Sequence, residues 1–263
     1  MAKTISFGVQ KGGSSKTTTT GIFTYLLARS GHRVLAVDMD CQGNLTEMLT
    51  NVAANEFHER TVLEAIQERE AEKYIHRVNE LIDVLPANNL LTLLPRYLYQ
   101  RYGFSDPYIY KILGEILEPL KSRYDWIVID TPPALSEATM NSLVASDYVV
   151  VMFESSQWCY SAIPNFLESV QLAISLNPDL QVAGLLRTLN DVRRSDAKAF
   201  NDLIAQDFPD LVFDTIIRRK ATTGRLAING FSDENKEVTD AIDQYEEFYK
   251  ELMNRVGEAE LAR

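Results

Sequence analysis

Hydrophobic and polar positions along this chain follow two different periods, which predict strands separated by helices. Short runs that are apolar throughout, or apolar at every second position, predict strands at 4–9, 33–38, 82–88, 126–130, 147–153, 181–189 and 211–217. Apolar residues spaced three to four positions apart predict helices at 19–29, 61–72, 107–123, 162–176, 195–207 and 235–256. This alternation predicts an α/β fold, with a doubly wound, mostly parallel sheet and helices on both of its faces.

The composition places the chain among soluble, folded proteins. Hydrophobic residues make up 46% of its 263 positions and charged residues 24%, which is enough apolar surface for a core. No repeat, linker or low-complexity segment interrupts the chain, so we expect one domain over 1–263. Because no signal-peptide pattern or membrane span is evident, and because Cys41 and Cys159 lie too far apart to suggest a paired motif, we expect a cytoplasmic protein with reduced thiols and without an iron–sulfur cluster.

A loop of small and basic residues separates the first predicted strand from the first predicted helix. Its residues expected to surround a phosphate group are Lys11, Gly12, Gly13, Ser14, Ser15, Lys16, Thr17 and Thr18. Backbone N–H groups of such a loop bind anions, Lys16 would contact the β- and γ-phosphates, and the Thr17 hydroxyl would bind magnesium. The usual pattern G-x-x-x-x-G-K-[ST] has glycine where this chain has Gln10 and Ser15. Considered alone, the loop also fits a flexible turn with solvated lysines.

Aspartates follow two of the predicted buried strands. The strand 33–38 leads into Met39-Asp40, and the strand 126–130 ends at Asp130. Ligands of open α/β sheets bind at the carboxyl ends of the strands, so both carboxylates are expected near the phosphate loop. Asp130 is then a candidate to hold magnesium through water, and Asp40 to orient water or contact the metal shell. Either aspartate on its own also fits a turn or a helix cap.

Three motifs together resemble the ParA/MinD family of P-loop ATPases, and ParA/Soj-type partition ATPases in particular. They are K-G-G-x-x-K-[ST] at 11–17, V-D-x-D-x-Q-G-N-L-T at 37–46 and Y-D-x-I-x-I-D-T-P-P at 124–133. The resemblance implies ATP and Mg²⁺ as cofactors, hydrolysis to ADP and phosphate, and metal contacts by Thr17, Asp40 and Asp130. It also implies an ATP-dependent homodimer in which Lys11 reaches the partner's nucleotide, while Asp40 positions or activates the hydrolytic water.

The same resemblance extends to further partners. It implies that the segment 188–193, with Asn190 and Asp191, meets the adenine base. It implies that the ATP dimer binds nonspecific DNA, that a centromere-binding ParB-type protein stimulates hydrolysis, and that the protein associates with the nucleoid. The task so implied is segregation of a plasmid or chromosome.

Charge is distributed unevenly along the chain. The net charge of −11 argues against extensive coating by nucleic acid, so any DNA contact must be a local patch. Candidate phosphate contacts are Arg187, Arg193, Arg194, Arg218, Arg219, Lys220 and Arg225. A solvated face balanced by neighbouring aspartates is the alternative, and the run 218–220 favours DNA.

The predicted last helix, 235–256, has an apolar stripe and a mainly acidic remainder. Anionic lipid would repel that face, so we expect this helix to cover the sheet rather than bind a membrane. Two other functions stay open. In the first, the chain is the same kind of ATPase but positions a protein assembly instead of a plasmid or chromosome. In the second, it is a metabolic P-loop enzyme, such as a dethiobiotin-synthetase-like ligase, which would have a small-molecule pocket and form a dimer whether or not ATP is bound.

Overall fold

A single eight-stranded sheet forms the centre of the computed structural model, which describes residues 1–190, 195–226, 230–231 and 235–261. The strands are β1 (Lys3–Gly8), β2 (Val34–Asp38), β3 (His76–Arg77), β4 (Ile82–Leu85), β5 (Trp126–Asp130), β6 (Tyr148–Glu154), β7 (Gln181–Asn190) and β8 (Val212–Arg218). Their order is β3-β4-β2-β5-β1-β6-β7-β8, and every pair is parallel except β3–β4. The predicted fold class, a mostly parallel α/β sheet, is confirmed.

Helices cover both faces of this sheet. They are α1 (Lys16–Arg29), α2 (Asn44–Thr50), α3 (Val62–Glu68), α4 (Leu94–Tyr102), α5 (Ile112–Leu117), α6 (Glu137–Val144), α7 (Gln157–Leu176), α8 (Ser195–Asp207) and α9 (Lys236–Leu261). Because successive side chains of a strand point to opposite faces, Val128 of β5 packs with α1, α7 and α9, whereas Ile127 and Ile129 pack with α3, α4 and α5. The central strand β1 therefore lies between two layers of helices.

Several element boundaries differ from those that the sequence predicts. The predicted helix 107–123 is divided into a 3-10 turn at Pro107–Tyr110, helix α5, and a second 3-10 turn at Glu118–Ser122. Pro119, in the second turn, has no N–H to continue an α-helical ladder. The predicted helix 61–72 ends at Glu68, because Arg69 takes a left-handed conformation with φ of 63°.

The last helix lies against the sheet as its apolar stripe predicts. Tyr245, Phe248 and Leu252 of α9 are fully buried, and Phe248 makes edge contacts with Phe7 and Phe213. None of the helices in the described ranges has the length and apolar character needed to cross a bilayer.

Candidate functional site

The loop between β1 and α1 forms one wall of an open cleft of about 380 Å³. The cleft is lined by Gly12, Gly13, Ser14, Ser15, Lys16, Thr17, Thr18, Asp40, Gln42, Asn44 and Pro133. A Cβ atom built on Gly12 or Gly13 meets no other atom within 4 Å, so the loop backbone is open on the side away from the core. An anion can therefore approach the loop and the amino end of α1, where N–H groups are free of helical partners.

Lys16 places a buried ammonium group in this cleft. Its residue is only 6% exposed, and Nζ donates to the carbonyl oxygen of Lys11 at 2.8 Å. Burial lowers the pKa of Lys16, although the nearby carboxylates of Asp130 and Asp40 act in the opposite direction. A phosphate group bound in the loop would supply the counter-charge that this buried cation lacks in the loop itself.

Asp130 lies at the carboxyl end of β5, directly beside the loop. It is in register with Phe7 of β1 on one side and with Asp38 of β2 on the other. Burial, and then the neighbouring Asp38, raise the pKa of Asp130 to about 8. Its Oδ1 accepts from the Thr20 hydroxyl at 3.3 Å, but within the described chain its buried Oδ2 has no hydrogen-bond partner. Such an oxygen fits a cation or a cation-bound water.

A magnesium ion would need ligands from outside the protein at this place. The described residues contain no group of three or more acidic, histidine or cysteine side chains that would hold a metal alone. The Thr17 hydroxyl, on the first turn of α1, and the free oxygen of Asp130 are hard oxygen ligands of the kind that Mg²⁺ prefers. Magnesium bound through these two groups would complete its shell with phosphate oxygens and water.

Asp38 fixes the segment that holds Asp40, although the sequence alone predicts no separate function for it. Asp38 is fully buried and accepts from the backbone N–H of Thr46 at 2.9 Å, from its hydroxyl at 2.8 Å, and from the Asp40 N–H at 3.1 Å. Burial raises the pKa of Asp38 to about 6. The Asp40 carboxylate accepts from the Gln42 N–H at 3.0 Å and borders the cleft. Asp38 therefore fixes the loop, and Asp40 borders the cleft.

The predicted base-binding segment begins beside the phosphate loop. Thr188, near the end of β7, donates its hydroxyl to the Ser14 carbonyl at 3.1 Å, so this strand end and the loop are in contact. The backbone of Asn190 closes β7, but its side chain and the whole of Asp191 lie outside the described residues. Contact of these two residues with a base stays a prediction.

The predicted basic surface is only partly present as expected. Arg187 donates to the carbonyls of Phe213 and Asp214 at 2.8 and 3.2 Å, and burial lowers its pKa. Its guanidinium is committed to the β8 backbone, so we correct the assignment of Arg187 to a DNA contact. Basic side chains remain at the end of β8, where Arg218 and Arg219 are exposed and Lys220 is half-buried beside Asp240. Arg193, Arg194 and the Arg225 side chain lie outside the described residues.

Lys11 points away from the cleft, toward the end of β6. Its Nζ pairs with the Glu154 carboxylate and donates to the Ser156 hydroxyl at 3.2 Å. Both partners belong to the same chain and are more than 140 residues away in sequence. No local sequence signal predicts this pairing, because it depends on β6 lying next to β1.

Ser15 takes the place of a pattern glycine and has φ of 64° and ψ of 21°, in the left-handed region. Such a conformation costs a residue with a side chain roughly 1–2 kcal/mol, and replacement by glycine relieves this strain. About 0.5–1 kcal/mol of that gain is lost again, because glycine makes the unfolded state more flexible. We therefore expect Ser15→Gly to raise the free energy of unfolding by up to about 1 kcal/mol, measured by denaturant titration. Ser175→Gly, the same change within α7, should lower it by about 0.5–1 kcal/mol. Equal destabilisation by both changes would contradict the strain at Ser15.

One family model and two relatives match most of this chain. A family model described as an AAA domain matches residues 2–182. The sporulation initiation inhibitor protein Soj of Bacillus subtilis is 31% identical over 242 residues, which cover 88% of this chain and 89% of Soj. A ParA family protein of Chlamydia pneumoniae is 30% identical over 230 residues, covering 87% of this chain and 88% of that protein.

Solved structures agree in fold. A putative plasmid partition protein of Borrelia burgdorferi bound to AMPPNP is 25% identical, with a TM-score of 0.76 over 97% of this chain and 99% of its own. Cobyrinic acid a,c-diamide synthase of Mycobacterium smegmatis with bound ADP and magnesium is 27% identical, with a TM-score of 0.78 over 93% of this chain and 92% of its own. With its phosphate loop, its two strand-end aspartates and these full-length likenesses, the chain belongs to the ParA/Soj family of P-loop ATPases.

Proposed function

We propose that this chain is a partition ATPase that binds ATP and Mg²⁺ and hydrolyses ATP to ADP and phosphate, with 1–263 acting as one domain. The observation that carries the proposal is the convergence of Lys16, Thr17, Asp40 and Asp130 at the carboxyl ends of β1, β2 and β5. The Borrelia burgdorferi protein bound to AMPPNP and the synthase with bound ADP and magnesium support these cofactors.

The chemistry is stabilisation of charge around an in-line phosphoryl transfer to water. Lys16 meets the β- and γ-phosphates with its buried ammonium group, and the loop N–H groups bind the remaining phosphate oxygens. Thr17 and Asp130 would hold the metal, which would neutralise negative charge on the phosphates. Asp40, held by the Asp38–Thr46 contacts, positions or deprotonates the attacking water.

ATP is proposed to join two protomers, with Lys11 of each crossing to the nucleotide of the other. To do so, Lys11 must leave Glu154 and Ser156, which it contacts within its own chain. Hydrolysis is expected to be slow in the isolated protein, because the active site is complete only in the dimer. A ParB-type or adaptor protein is proposed to stimulate hydrolysis further. This homodimer is proposed to act in the cytoplasm, associated with the nucleoid.

The dimer is further proposed to bind DNA without regard to sequence, through the exposed end of β8, and so to segregate a plasmid or chromosome. Arg218, Arg219 and Lys220 place three cations in succession there, on a chain whose overall charge is −11. Contacts with phosphates would add affinity and salt dependence but would not distinguish one sequence from another. Positioning of a protein assembly by the same cycle remains the alternative within this family.

A direct test is binding to a random-sequence duplex with ATP, with ADP and without nucleotide, at two salt concentrations. We expect binding only with ATP, and loss of that binding in Lys11→Ala. Arg218→Ala should weaken it and lower the slope of log K against log salt by about 0.9, since one phosphate contact is lost. Arg77→Ala removes the same charge from β3, at the opposite edge of the sheet, and should change neither quantity. Absence of binding in every nucleotide state would refute the DNA function.

A metabolic P-loop enzyme is the second candidate, favoured by the likeness to the diamide synthase. Such an enzyme would form a dimer indifferent to ATP and would have less need of Lys11. Its signature in the same experiment would be no DNA binding, with ATP hydrolysis that is unaffected by Lys11→Ala.

A further inference from the structure

Glu154, the last residue of β6, receives two cations from distant parts of the chain. One of its carboxylate oxygens pairs with Lys11 of the phosphate loop, and the other accepts from the Arg219 guanidinium at 3.4 Å. The Glu154 side chain is only 16% exposed, whereas that of Arg219 is 55% exposed. A single, mostly buried carboxylate therefore joins the loop that binds phosphate to the basic segment 218–220 that follows the sheet.

The two cations contact different oxygens of this carboxylate and differ in how firmly they are held. Lys11 makes the shorter contact, and it is also held by the Ser156 hydroxyl, which accepts from the first turn of α7 as well. Arg219 makes the longer contact and lies at the surface. Because the attraction between opposite charges rises as their distance falls, and because the two cations repel one another, departure of Lys11 strengthens the attraction between Glu154 and Arg219.

We propose that Glu154 releases Lys11 and pairs more closely with Arg219 when nucleotide binds, and thereby fixes the segment 218–220 in the nucleotide-bound state. This inference rests on the proposed function in one respect, the movement of Lys11 to a nucleotide phosphate. Glu154 is then a positioning residue, since it touches neither the nucleotide nor the reacting atoms. It connects the state of the phosphate loop to the edge of the sheet where β8 lies, across β6 and β7.

Closer pairing with Glu154 changes the function of Arg219. Paired with Glu154, its charge is neutralised, so Arg219 anchors the segment, and the guanidinium of Arg218, unpaired among the described residues, is presented to phosphates. Arg218 is already fixed through its backbone, whose N–H donates to Gln244 at 2.9 Å, and Lys220 contacts Asp240. Loss of Glu154 should consequently weaken ATP-dependent DNA binding, whereas it would strengthen that binding if Arg219 contacted DNA directly.

Amide hydrogen exchange of the full chain, followed in peptides over 212–226, tests without DNA whether Glu154 releases Lys11 and fixes this segment. A non-hydrolysable ATP analogue with Mg²⁺ should slow exchange at 218–220 in the wild type by about two- to fivefold, the range expected for one partly exposed ion pair. Lys11→Ala should give this protection without nucleotide, and Glu154→Gln should abolish it in every state. Glu118→Gln changes the net charge equally at a remote pair with Lys121 and should behave as wild type.

Protection that persists in Glu154→Gln, or nucleotide-free Lys11→Ala that exchanges like nucleotide-free wild type, would overturn the proposal. So would stronger ATP-dependent DNA binding by Glu154→Gln than by wild type. Failure of the wild type to bind DNA would refute the DNA function instead, and the exchange data would still decide whether Glu154 links the two segments.

Discussion

Replacing Lys16 by alanine is expected to lower kcat/KM for ATP hydrolysis by about 10²- to 10³-fold, the typical effect of removing one preorganised donor that stabilises transition-state charge. The ammonium group is almost completely buried, and the loop carbonyl of Lys11 holds it in the cleft. Its low exposure means that water cannot replace it without rearrangement of the loop. Steady-state kinetics of purified protein, with ATP and magnesium varied, measure the effect.

Two further variants separate this effect from damage to the fold. Lys16→Arg retains the positive charge but not the shape, and in so buried a position we expect it to be almost as inactive as alanine. Lys73→Ala removes an exposed lysine that pairs with Glu68 far from the cleft, and its kinetics should match the wild type. Normal hydrolysis by Lys16→Ala, in a protein with unchanged thermal unfolding, would contradict the assignment of the phosphate loop.

Asp40→Ala is expected to lower kcat by about 10²- to 10⁴-fold while ATP affinity stays close to that of the wild type. The carboxylate borders the cleft beside the segment that the Asp38–Thr46 contacts hold, and the proposed function assigns it to the attacking water rather than to the bound nucleotide. Single-turnover hydrolysis and equilibrium ATP binding, measured on the same preparation, distinguish the two effects.

The matched control is Asp40→Asn. Its amide oxygen can still accept from the Gln42 N–H, so the local turn should persist, but the group can no longer take a proton. An asparagine variant as slow as the alanine variant identifies proton transfer or charge as the lost function. A large loss of ATP affinity in either variant, with little loss of kcat, would instead make Asp40 a binding residue.

Much of the candidate site could be predicted from the sequence because it is assembled by local rules. A parallel sheet brings the carboxyl ends of its strands to one edge, so aspartates that follow predicted strands must lie near the loop that follows another strand. The structure places Asp130 beside both Phe7 and Asp38, and Asp40 in the wall of the cleft. The roles of these residues in catalysis and metal binding remain predictions.

Other features depend on contacts between distant segments and have no local pattern. The partner of Lys11 lies on β6, 143 residues later, and the Arg187 guanidinium is occupied by carbonyls of a strand that pairs with its own. Asp38 is held by two hydrogen bonds from Thr46, eight residues later, and by one from the Asp40 N–H. The hydroxyl residue Thr46, in the first turn of α2, is the signal that points to this function.

The fold class was predictable because the alternation of strands and helices is a local pattern, whereas the helix boundaries were not. Apolar spacing alone predicts one helix over 107–123, yet the chain makes α5 and two 3-10 turns there. The amide of Asn141 on α6 bonds the Leu113 N–H and the Ile109 carbonyl in this region. Such contacts belong to the tertiary structure and override the periodicity of the segment itself.

In the proposed cycle ATP joins two copies of this chain, and this step is measured by the mass of the particle in solution. Light scattering during size-exclusion chromatography, on Asp40→Ala protein to prevent hydrolysis, should give the mass of two chains with ATP and Mg²⁺ and of one chain with ADP. Lys11→Ala, introduced into the same protein, should remain at one chain with ATP. A particle of one chain under all conditions, or of two chains regardless of nucleotide and of Lys11, would refute ATP-dependent dimerisation.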